Sequence, residues 1–156
     1  MTLTLVFTAF LVASLLTKLW LDGRQARHVS RHREQVPPAF ADEVSLGQHQ
    51  RAASYTIDKL RFGLIVSAVS TVTLIGWTLL GGLHELNQII RDAIFTRWGN
   101  LPYQLALLGA FTFIRGLIDL PFSAWSTFRI EQKHGFNRMS WGMWIGDLIK
   151  QTILGV

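Results

Sequence analysis

Four groups of polar residues in this sequence could do chemistry. The first, His84-Glu85-Leu86-Asn87-Gln88, starts like an H-E-x-x-H zinc motif, in which two imidazoles four apart hold the metal and the Glu is the base. Gln88 stands in place of the second His, and one His with one Glu falls short of three protein ligands. His28 and His32 are spaced like a metal pair, but Arg24, Arg27, Arg31 and Arg33 around them repel a cation. A basic segment touching headgroups is the expectation there. Arg115 and Asp119 lie four apart on one helical face of an apolar run, as a structural ion pair or as the polar wall of an internal chamber. Glu131, Lys133 and His134 could order a loop through hydrogen bonds or touch an acidic or peptide substrate. His49 has no partner nearby in sequence and is expected to be a surface residue. No residue is assigned as catalytic and none as a metal ligand.

Composition says where these groups must sit. Hydrophobic residues make up 49% of the chain and charged residues 16%, against about 25% charged in an ordinary soluble domain. The charges are gathered into blocks between apolar runs, which predicts an all-α, polytopic membrane protein. The net charge of +5 does not point to nucleic acid, because the basic residues flank apolar spans and no groove-reading motif is present. With no cysteine there is no disulfide, Cys-zinc site or thiol nucleophile. Walker, G-x-G-x-x-G and G-x-S-x-G patterns are absent as well.

Three apolar runs are long enough to cross a hydrocarbon core of about 30 Å at about 1.5 Å per residue: 2–21, 62–83 and 101–120. Lys18 lies near the end of the first and can snorkel beside Trp20. Pro121 predicts a kink or an end to the third helix. Val36-Pro37-Pro38 marks a break, after which Asp42 is the expected N-cap of a helix running into the second span. Gly135 suits a turn with positive φ. From about residue 147 apolar character rises again, which reads as the start of a fourth span cut short. Trp20, Trp98, Trp141 and Trp144 near predicted span ends are expected as interface anchors. Basic residues crowd the first connection (Arg24, Arg27, Arg31, Arg33, Arg51, Lys59, Arg61) and the segment after Phe128. The second connection has only Arg91 and Arg97, so the N-terminus is expected outside, with the first and third connections cytoplasmic.

Four ordered pieces of the chain resemble one family. They are Tyr55-Thr56-Ile57-Asp58-Lys59 leading to Phe62, and Trp77-Thr78-Leu79-Leu80-Gly81-Gly82-Leu83. Thr127-Phe128-Arg129-Ile130-Glu131-Gln132-Lys133-His134-Gly135-Phe136-Asn137 follows, and then Asp147 with Lys150. In this order, between spans, they resemble the N-terminal membrane domain of the type I CAAX prenyl proteases, integral-membrane zinc endopeptidases. The resemblance implies a ring of helices around a water-filled chamber and a zinc site on a later helix. It implies peptide or prenylated-peptide substrates for the full-length protein. It also implies that the Glu131–Asn137 loop borders the chamber on the cytosolic side, which makes Glu131, Lys133, His134 and Asn137 candidates for the chamber or substrate path; Arg115 and Asp119 join them from their charge within an apolar span, where relatives are expected to be apolar or small. Zinc is expected only in a full-length member and no cofactor in this chain. The expected partners are the lipid bilayer and the missing C-terminal catalytic part or an equivalent chain. The expected location is a bacterial inner membrane, or the endoplasmic reticulum for eukaryotic relatives. The alternative is a stand-alone, non-enzymatic membrane protein acting as a scaffold or partner subunit.

Overall fold

Sixteen residues without a charge, from Thr2 to Thr17, start the first helix, and nothing in the polar sequence that follows stops it. In the computed structural model, which describes residues 2–154, α1 runs over Thr2–His32. Its 31 residues span about 46 Å, so the last eleven extend well beyond the predicted bilayer exit. Arg, Gln, Ala and His continue a helix as readily as the apolar residues do, which is why the helix outlasts the span. Pro37 and Pro38 then open a single 3-10 turn, Pro38–Phe40.

The second helix, α2 (Leu46–Thr78), starts later than expected: its N-cap is Ser45, not Asp42, which lies in the preceding turn. Ser45 and Gln48 form a capping box, in which the Ser45 hydroxyl accepts from Gln48 N and the Gln48 side chain accepts from Ser45 N at 3.0 Å. Asp42 has no glutamate or glutamine three residues on with which to do the same. His49, near the surface, finds a partner distant in sequence. Its Nε2 donates to His32 O at 3.0 Å, satisfying a carbonyl that α1 leaves open at its end. That contact closes the α1–α2 hairpin.

The connection after α2 is itself helical. Gly81 turns the chain with φ 81°, and α3 (Gly82–Ile90) widens into a π segment, Arg91–Phe95, before a last turn at Thr96–Trp98. The fourth helix, α4 (Asn100–Trp125), does not end at Pro121; it passes through it and goes on as a second π segment, Ser126–Glu131. Proline removes one N–H and crowds the carbonyl four residues back, and the helix accepts that loss without ending. α4 runs antiparallel to α2, with Phe62 against Phe122 at one end (ring centroids 6.2 Å apart) and Trp77 against Phe111 at the other (5.1 Å). Last comes α5 (Trp141–Leu154), which starts earlier than position 147.

Three of these helices (Thr2–His32, Leu46–Thr78 and Asn100–Glu131) are long and apolar enough to cross a membrane. No strand is present among the described residues. Among the described residues, only Ile130 and Trp144 of the large apolar side chains are buried, while Phe10, Val72, Leu108, Phe113 and many others point outward, as suits a chain whose solvent is lipid. Trp144 thereby departs from its expected role at the interface. It packs edge-on to Phe128, whose ring also stacks on Trp141 at 3.7 Å, and this cluster fastens the start of α5.

Candidate functional site

The end of the molecule where α2 begins and α4 finishes carries the densest polar cluster. Adjacent residues of α2 hold the segment after α4 at two points. Lys59 Nζ donates to Ser126 Oγ and Glu131 Oε1, each at 3.2 Å. Ser126 and Glu131 are five residues apart, which in a regular α-helix would set them about 140° apart around the axis. The π segment spanning them brings both to one lysine. Next to this, Asp58 Oδ2 accepts from Lys133 Nζ at 2.8 Å and from His134 Nε2 at 2.9 Å. A carboxylate can only accept, so Nε2 carries the hydrogen of that bond.

The two bonds to Asp58 differ in setting. The Lys133 side chain is 67% exposed and that of His134 only 7%, so the imidazole is the enclosed partner and the ammonium stays in water. Tyr55, one turn before Asp58, walls the imidazole: its ring lies edge-on to His134 at 5.4 Å and against Phe136 at 4.8 Å. Asp58 precedes the uncharged stretch that starts at Phe62 and so stands outside the membrane-spanning part of α2. Hydrogen bonds from Lys133 and then His134 hold its carboxyl below the usual carboxylate range, against the opposing effect of burial.

Gly135 makes this geometry possible. With φ 78° it reverses the chain, so that Phe136 N and Asn137 N both donate to Glu131 O, at 2.8 and 3.2 Å. Asn137 then accepts from Met139 N at 2.7 Å through Oδ1, fixing the approach to α5. Glu131, Lys133, His134 and Asn137 are thus gathered in one ordered loop. Glu131 and Asn137 also border a shallow recess of about 310 Å³ beside Arg138 and Met143.

Arg115 and Asp119 belong to another part of the molecule. They pair at 3.6 Å along α4 and line a groove of about 160 Å³ against α2, opposite Ser70, Thr73 and Thr78. Both side chains of the pair are more than half exposed.

The remaining candidates have local partners. The Gln88 amide nitrogen lies 2.7 Å from His84 Nε2, beside Asn87, which accepts a hydrogen bond from the Tyr103 hydroxyl. The His28 and His32 rings face each other with centroids 4.3 Å apart, and His32 Nδ1 donates to His28 O at 2.8 Å. Among the described residues no group of three or more His, Cys, Asp or Glu side chains could hold a metal ion. The donor set here does not fit zinc.

Comparison with known proteins agrees with this architecture. The family described as CAAX prenyl protease N-terminal, five membrane helices, matches residues 25–156. The chain belongs to that family. It is 28% identical to a rice CAAX prenyl protease 1 homolog over 94% of the chain and 35% of the relative. It is 29% identical to the human CAAX prenyl protease 1 homolog over 96% of the chain and 33% of the relative. The crystal structure of S. mikatae Ste24p superposes with a TM-score of 0.86 at 24% identity, over 96% of this chain and 35% of that one, which is a likeness of fold. The chain therefore spans about a third of the length of these relatives.

Seen within the CAAX prenyl protease N-terminal family, the residues that sequence reasoning passed over are Tyr55, Asp58 and Lys59 on α2, with Ser126 in the π segment after α4. Tyr55, Asp58 and Lys59 lie in one of the motifs that carry the resemblance, which was the available signal, and Ser126 directly precedes another. What the motifs do is hold each other: the Tyr55–Lys59 segment is the receptor for the Glu131–Asn137 loop.

Proposed function

We propose that this chain is the N-terminal membrane part of a CAAX-type zinc endopeptidase, forming part of an intramembrane chamber wall and of the path by which peptide reaches it. Hydrolysis belongs to residues outside this sequence. Membership of the family supports this reading. The observation that carries it is the Arg115–Asp119 pair facing Ser70 and Thr73 in a largely apolar groove between two membrane helices. Charge at membrane depth is costly and normally faces a water-filled cavity or a bundle interior.

In this reading the Glu131–Asn137 loop, ordered by Asp58 and Lys59, forms the rim on the cytosolic side. Lys59, Arg129, Lys133 and Arg138 gather at that end with the basic continuation of α1, while Arg91 and Arg97 stand at the other. By the positive-inside rule the N-terminus then lies outside, in a bacterial inner membrane or the equivalent face of the endoplasmic reticulum. The substrate is a peptide, prenylated or not, presented to the complete protein.

The test begins with the gene read in frame beyond Val156. An H-E-x-x-H helix with a downstream Glu is expected, and the complete product should bind zinc and cleave a farnesylated peptide. A complete product without that motif sinks the proposal. In the same protein Glu131→Gln, at normal abundance, should lower cleavage if the rim contacts peptide; unchanged cleavage would make the loop purely structural.

A further inference from the structure

The part of α1 that leaves the membrane carries a stripe that neither the fold nor the proteolytic reading uses. Trp20, Arg24, Arg27 and Arg31 are spaced by four, three and four residues, which confines them to a sector of about 60° on the helix. All four are exposed. Of the half-buried residues of the same stretch, Asp22, Ala26 and Val29 lie on the opposite face, while Gly23 lies beside Arg27, and α2 is the helix against which α1 packs. The stripe therefore faces away from the hairpin. The other charges nearby are neutralised: Lys18 bonds to Asp22 at 3.0 Å and Arg33 to Glu34 at 3.3 Å. Among the described residues Arg24, Arg27 and Arg31 have no acidic partner.

Helix direction makes this stripe reach for the bilayer. Side chains on an α-helix lean toward its N-terminus. The N-terminus of α1 is its apolar, membrane-spanning part, so each arginine leans back toward the lipid. Arg24 shows it, with its guanidinium 5.6 Å from the centre of the Trp20 ring, an interface residue one turn nearer the membrane. By the same lean Arg27 reaches about 5 Å and Arg31 about 10 Å beyond Trp20 along the axis. A headgroup layer is about 5–8 Å deep and the Debye length is about 8 Å at physiological salt, so all three cations fall within reach of lipid phosphates.

We infer that the Trp20–Arg24–Arg27–Arg31 stripe is a binding site for anionic phospholipid headgroups, holding α1 at a fixed depth on the side of the hairpin away from α2. The occupant follows from charge complementarity and continuity: three unpaired guanidiniums, directly above an apolar span, meet phosphates without any further chain movement. This inference does not rest on the protease reading.

The test uses the full chain reconstituted in nanodiscs of phosphatidylcholine with one-fifth phosphatidylglycerol. The lipids that remain with the protein on extraction into detergent are counted by mass spectrometry. Wild type should retain phosphatidylglycerol well above its share in the disc, and raising salt from 0.05 to 0.5 M should erase the excess. Each of Arg24→Gln, Arg27→Gln and Arg31→Gln should cut the preference by up to about fivefold, Arg31 least because it lies farthest out. The triple variant should lose it entirely, while Arg→Lys at all three should keep most of it. If the triple variant does not fold, the single Arg27 and Arg31 variants, both beyond the apolar run, carry the test. Retention of phosphatidylglycerol that ignores salt, or that is unchanged in the Gln variants, overturns the assignment and leaves these arginines as topology signals only.

Discussion

Replacing Asp58 by alanine should release the loop after α4 from α2. Two bonds are lost, and they are unequal. The Lys133 ammonium is two-thirds exposed, so its pair contributes about 0.2–1 kcal/mol, as exposed ion pairs do. His134 is enclosed, and stripping its acceptor leaves a buried donor unsatisfied, at a cost of about 1–3 kcal/mol. The sum is about 1–4 kcal/mol, most of it from the imidazole. Lys133→Met should therefore cost less than about 1 kcal/mol, and Asp58→Asn, which keeps an acceptor oxygen, should fall between the two. The assay is amide hydrogen exchange over residues 132–137 in detergent micelles, with tryptophan fluorescence in a denaturant titration as the global measure. Because the folded Asp58 carboxyl sits below its ordinary value of 3.8, its stabilisation is complete above that value and is lost as pH falls through the lower, folded one. In Asp58→Ala the acid-induced part of loop release should disappear. Loop protection unchanged in Asp58→Ala, or Lys133→Met as damaging as Asp58→Ala, would refute the assignment of the clasp to the Asp58–His134 bond.

Three further outcomes are expected. Gly135→Ala meets no neighbouring atom, so its cost is that of forcing an L-residue to φ 78°, about 1–2 kcal/mol, read as faster exchange at Phe136 and Asn137. Ser45→Ala should lower the stability of the first turns of α2 by about 1 kcal/mol while Asp42→Ala leaves it unchanged, and equal effects in exchange over residues 46–50 would contradict the capping box. Asp119→Asn should leave the yield and melting temperature in detergent near wild type, because the ion pair is exposed to the groove; loss of detergent-stable protein would make it structural instead.

How much of this was legible in the chain follows from the range of each interaction. The apolar runs are local, and lipid imposes helix on them because every backbone group must be paired within the segment. That three helices are apolar enough to cross a membrane, the Arg115–Asp119 pair and the Gly135 turn could accordingly be read directly, whereas the second helix ends at Thr78, short of the expected Leu83, because Gly81 turns the chain. The capping box was also local: Ser45 and Gln48 carry the S-x-x-Q pattern, and Asp42, an equally good cap by residue type, drew attention from it. Helix ends were harder, since polar residues after Leu21 favour helix as well as the apolar ones do, and Pro121 did not stop α4.

Which residues pair in the clasp was beyond sequence reasoning. Asp58 and His134 are 76 residues apart, His49 meets a carbonyl 17 residues away, and no periodicity encodes either contact. Ser126 and Glu131 meet Lys59 together only because the backbone widens into a π turn, which departs from the 3.6-residue period that any pattern argument assumes. From its residues alone the chain determined that it crosses the membrane as helices, because hydrophobicity and backbone pairing act within a segment. The antiparallel packing of α2 and α4 decided which side chains meet where α2 begins and α4 finishes, because bonds between distant residues exist only once the helices are docked.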